Sequence, residues 1–68
     1  MITINVYCAN MTETQIQAIA DAVNAEGFDV VDTQKNITGC AISIEGSYYG
    51  NAVTAINALG YETDEDEG

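Results

Sequence analysis

Along the first eight residues, Ile2, Ile4, Val6 and Cys8 alternate with Thr3, Asn5 and Tyr7. A period of two marks a strand with one face buried. The period then lengthens: Ile16, Ile19, Ala20 and Val23 form an apolar stripe at helical spacing, while Glu13, Gln17, Asp21 and Asn24 fall on the opposite side. Thr12 stands where an N-cap is needed, and Gln15, three residues on, completes a capping box. Met11 and Ile16 have the spacing of a hydrophobic staple across that cap. Gly27 supplies a left-handed stop, with Phe28 able to fold back onto Val23.

Residues 28–33 read as a second strand and 34–36 as a polar turn. Cys40, Ile42 and Ile44, alternating with Ala41, Ser43 and Glu45, make a third strand. A second helix follows, with Ser47 as its expected N-cap, Tyr49, Ala52, Val53 and Ile56 on one face, and Gly60 as its stop. Residues 62–68 hold five acids and no apolar side chain. They read as an acidic, disordered tail behind a single domain of residues 1–61. On that reading, removal of the tail leaves a folded domain.

The expected class is α+β, with the order β-α-β-β-α and a final strand short or missing. This is the split βαβ of the ferredoxin-like arrangement, an antiparallel sheet with both helices on one face. A right-handed crossover places the third strand between the first and second. With no full-length final strand, the first strand is expected to be an open edge. Its unpaired backbone along Thr3, Asn5 and Tyr7 then invites a homodimer or strand addition to a target.

Charge narrows the function classes. Eleven acids face one base, Lys35, with no Arg and no His, for a net charge of −10. Direct nucleic-acid binding needs cations to neutralise phosphates, and an anionic membrane repels the chain for the same reason. Without His, neither a Ser-His nor a Cys-His pair exists, and no carboxylate pair in a shaped pocket suggests itself. The chain is therefore read as no enzyme, with no cofactor, no metal site and a cytoplasmic location, since no signal peptide or apolar span is evident. Cys8 and Cys40 are expected at one end of the sheet on its core side. There they act either as small buried hydrophobes or as a thiol pair able to hold a soft metal or form a disulfide. Tyr48 and Tyr49 are read either as an exposed aromatic contact or as one tyrosine in the core and one outside.

Met11-Thr12 and the closing Ala55-Ile56-Asn57-Ala58-Leu59-Gly60-Tyr61 give residues 2–61 a scaffold that resembles the heavy-metal-associated domain of copper chaperones and metal-pumping ATPases. That family carries a G-M-T-C-x-x-C loop. Here its two ligand positions are Glu13 and Ile16, which cannot bind Cu(I) as two thiolates do. The resemblance thus implies a scaffold that docks to proteins, without the metal transport. In charge, the chain resembles small acidic phage or mobile-element inhibitors, including DNA-mimic proteins. The leading expectation is an interaction module that binds a basic, nucleic-acid-binding surface of a host protein. Glu13, Asp21, Glu26 and Asp29 are the carboxylates expected to contact it, with Asn5 and Tyr7 on the first strand. The alternative is a metal or small-ligand carrier using Cys8 and Cys40.

Overall fold

In the computed structural model the described residues are 2–46 and 49–67. Six elements follow in order: β1 (Ile2–Tyr7), α1 (Glu13–Ala25), β2 (Val30–Asn36), β3 (Gly39–Ile44), α2 (Gly50–Ala58) and β4 (Glu62–Glu67). The class is α+β. The four strands form one antiparallel-paired sheet in the order β2-β3-β1-β4.

The two central strands carry the core. Ile2, Ile4 and Val6 of β1 and Cys40, Ile42 and Ile44 of β3 are all buried, and the register sets Ile4 beside Ile42 and Val6 beside Cys40. Ile16, Ile19 and Val23 of α1 and Ala52 and Ile56 of α2 belong to the same cluster. Both helices therefore cover one face of the sheet, and no polar or charged side chain is buried among the described residues.

Local chemistry sets the element ends. Thr12 Oγ1 accepts from the Gln15 N–H at 3.2 Å while the Thr12 N–H donates to Gln15 Oε1 at 2.8 Å, so two orphan donors of the first turn are satisfied reciprocally. Met11 is buried with Ile16 in the core, as a staple requires. Gly27, at φ 95°, and Gly60, at φ 96°, take the left-handed conformation after each helix. α2 has no such start. Its cap position falls on Tyr49, which makes no side-chain cap bond, and the expected cap Ser47 lies outside the described residues.

Five expectations need correction. The β2–β3 turn is Ile37-Thr38, not residues 34–36, and β2 runs Val30–Asn36 where residues 28–33 were expected. Asn36 Oδ1 accepts from the Thr38 N–H at 3.0 Å and from Thr38 Oγ1 at 2.9 Å, which builds the turn one step later. As an exposed edge strand β2 needs no apolar alternation, so its polar residues 34–36 carry a turn signal in the sequence and no strand signal. The final strand is neither short nor missing: β4 pairs with β1 residue for residue from Tyr7↔Glu62 to Ile2↔Glu67. Residues 62–67 are therefore strand, not a disordered tail, because β1 supplies a template of backbone partners that an acidic segment can use at an edge. Gly68, the last residue assigned to that tail, lies outside the described residues. β1 is in consequence an inner strand, and the expected open edge, with the homodimer through it, has no backbone to form on.

Candidate functional site

The six residues expected to meet a partner separate into three places. Glu13 and Asp21 lie on the solvent side of α1 around a shallow depression shared with Thr14, Gln17 and Ala18, where Gln17 Nε2 donates to Asp21 Oδ1 at 2.9 Å. Glu26 caps the C-terminal end of α1 and Asp29 follows in the loop to β2. There the Asp29 carbonyl accepts from the Glu45 N–H at 3.2 Å, which brings a third acid to that end of the sheet. Asn5 and Tyr7 alternate with the buried positions of β1 and so face the helix-free side. Tyr7 Oη donates to Asp64 Oδ2 at 3.5 Å, a long and exposed contact.

Sequence reasoning missed the carboxylates of the helix-free side. Asp64 is placed there only by its register with Asn5, and Glu62 by its register with Tyr7. The periodicity of β1 shows which residues point that way, but not which strand lies beside it.

The opposite end of the sheet from Glu26 and Asp29 has a different character. The β1–α1 loop, the Ile37-Thr38 turn and the end of α2 meet there. Three of the four exposed large hydrophobic residues are Tyr7, Ile37 and Leu59, all at this end, and Ile37 is 98% exposed. An open cavity of about 670 Å³ is lined by Asn10, Met11, Thr12, Lys35, Asn36 and Ile37. The chain's single cation thus lies beside its most exposed apolar side chain.

Both thiols are also at this end. Cys40 is buried on β3 and Cys8 is half-buried just past β1, where its N–H donates to the Thr38 carbonyl at 3.0 Å. Burial pushes the Cys40 thiol pKa up, and the neighbouring Cys8 pushes it the same way. Gly39 explains how the strands come so close. At φ 145° it lies flat against β1, and a Cβ there would collide with the Val6 carbonyl oxygen.

Among the described residues, no group of three or more His, Cys, Asp or Glu side chains converges as metal ligands would, and no helix is long and apolar enough to cross a membrane. No protein-family model, no curated protein and no solved structure matches the chain.

Proposed function

We propose that the chain is a non-enzymatic interaction module that occupies a basic, nucleic-acid-binding surface of a partner protein and so excludes nucleic acid from it. One observation carries this reading: every acid whose side chain is described is exposed, on both faces and both ends of the domain, and no described polar or charged side chain is buried in the core. A field of one sign over a whole small domain speeds encounter with an oppositely charged surface. The ferredoxin-like reading of the fold has support from the sheet order β2-β3-β1-β4 and from both helices packing on one face. It supplies a rigid frame for those charges.

Magnitudes limit the form of mimicry. Glu13 and Asp21 are eight positions apart on α1, about 12 Å along its axis, whereas duplex DNA carries roughly one charge per 1.7 Å. The helix alone is far too sparse to imitate a phosphate track, so the reading relies on the summed field of the domain. Calorimetric titration with polylysine at about 50 and 200 mM salt, compared with the variant Glu13→Gln/Asp21→Asn/Glu26→Gln/Asp29→Asn, tests it. Tight binding that weakens with salt and with the four substitutions is expected, as is displacement of captured nucleic-acid-binding proteins by duplex DNA. Absence of any salt-dependent binding to polylysine would end this reading. The carrier reading draws on the closeness of Cys8 and Cys40. A stoichiometric soft metal in the purified protein would favour it instead.

A further inference from the structure

The two outer strands leave very different edges. β4 has five acids in six residues and no apolar side chain. β2 has one acid, Asp32, and one base, Lys35, and so no net charge in a chain of −10. It also carries apolar groups in solvent: Val31 is 52% exposed, and Ile37 projects from the turn that follows.

The direction of the β2 backbone follows from two hydrogen bonds. Thr38, just before β3, turns its carbonyl toward Cys8, just past β1, and Glu45 beyond the far end of β3 turns its N–H toward Asp29. Because successive peptide groups alternate, Gly39, Ala41 and Ser43 point toward β2, and Cys40, Ile42 and Ile44 toward β1. Asn36, Gln34 and Asp32 stand opposite the first set and spend their backbone groups on β3. Thr33 and Lys35 therefore direct N–H and C=O outward, with no strand beyond them among the described residues.

We infer that the β2 edge is a docking site for an extended segment of a protein partner, which adds antiparallel as a fifth strand. This deepens the function proposed above and rests on it. The occupant is an amphipathic strand. A cation on its helix-free side meets Asp32, and apolar residues on its other side lie over the Lys35 stem and the cavity beside Ile37. A second copy of the chain fits poorly, because it brings −10 against −10. β4 attracts cations too, but exposed ion pairs add little, and that edge has no apolar surface to bury.

The test uses the full chain and a synthetic hexapeptide alternating lysine and valine, with a glutamate–valine peptide as control. Amide hydrogen exchange at Thr33 and Lys35 is expected to slow about tenfold with the lysine peptide and not with the control. Thr33→Pro, which removes an outward donor, is expected to weaken peptide binding at least about tenfold. The wild-type exchange decides the matter even should that variant fold badly. Protection appearing on β4, or on neither edge, while polylysine still binds would overturn strand addition and leave the basic-partner reading standing. Failure of polylysine itself to bind would sink that reading first.

Discussion

The two edges of the sheet present the same backbone chemistry and opposite surroundings. β4 has five acids in its six-residue sequence, whereas β2 is near-neutral and its pairing with β3 is irregular only at its start, between Val30 and Asp32. A charged edge repels a second copy of itself, whereas an irregularity confined to the start of β2 leaves its regular stretch from Asp32 to Asn36 able to pair. The contrast teaches that acidic charge in this chain serves structure as well as any partner. The densest run of acids lies where it covers β1 and protects the outermost strand at once.

The comparison breaks most completely if β4 is removed. Truncation after Tyr61 deletes a six-residue ladder with β1, roughly 3–6 kcal/mol at about 1 kcal/mol per hydrogen bond before relief of self-repulsion. That is comparable to the whole stability expected of so small a domain, about 3–5 kcal/mol. Loss of the cooperative thermal transition is expected, reversing the outcome expected when these residues are taken as a tail. A truncated chain that melts like the full one would show that β4 contributes nothing.

Proline at adjacent positions of β2 sharpens the comparison from the other side. Gln34→Pro removes a bond to β3 and is expected to cost about 3 kcal/mol, whereas Thr33→Pro faces solvent and is expected to cost under about 1 kcal/mol. Chemical denaturation of both variants reads the difference, and equal costs would mean that the outward direction is misassigned.

β3, inside the sheet, offers a pH probe. Cys40, opposite Val6 and Lys35, has its pKa raised by burial from the usual 9.0. Below that value both folded and unfolded chains keep the proton, and this thiol gives stability no slope. Above it the unfolded chain releases a proton that the folded chain retains, so stability falls as pH rises. Cys40→Val is expected to flatten that alkaline decline in denaturation series from pH 8 to about 10.5. An unchanged slope would assign the decline to other groups. The smallest effect on stability belongs to Glu62→Gln/Asp64→Asn, within about 0.5 kcal/mol at exposed positions. Its readout is association: sedimentation at low salt, where repulsion is least screened, should show more self-pairing through β4 in the variant than in the parent.

How legible all this was depended on where the partner of each residue lay. α1 could be read from Thr12 to Gly27, because cap, box, staple, stripe and stop are all written within one segment. The inward faces of β1 and β3 were equally plain, since Ile2, Ile4, Val6, Cys40, Ile42 and Ile44 alternate with polar neighbours. β4 was opaque. Its residues have low strand propensity, and what makes them a strand is a row of donors and acceptors on β1, contributed by the other end of the chain. The turn at Ile37-Thr38 was missed for a related reason, as Asn36 closes it with its own side chain while Gly39 is held by β1. Helical periodicity exposes Glu13 and Asp21, but the separation of the candidate carboxylates onto different parts of the domain depends on topology and register, which no single segment encodes.

The strand order also dictates a sequence of events in time. β2 and β3 are joined by a two-residue turn, so their hairpin can close within about 1–10 μs. β1 has no neighbour nearby in the chain: Val6 waits for Cys40 and Tyr7 for Glu62, and both closures carry the entropy of long intervening loops. The capture of β1 by the preformed hairpin beneath α1 is then the expected barrier to folding, with β4 docking afterwards on the edge this creates. Substitutions in β1 and β3 should slow folding, while those in β4 should mainly hasten unfolding. The acidic strand acts as a latch, which sets how long the native state lasts more than how quickly it is reached.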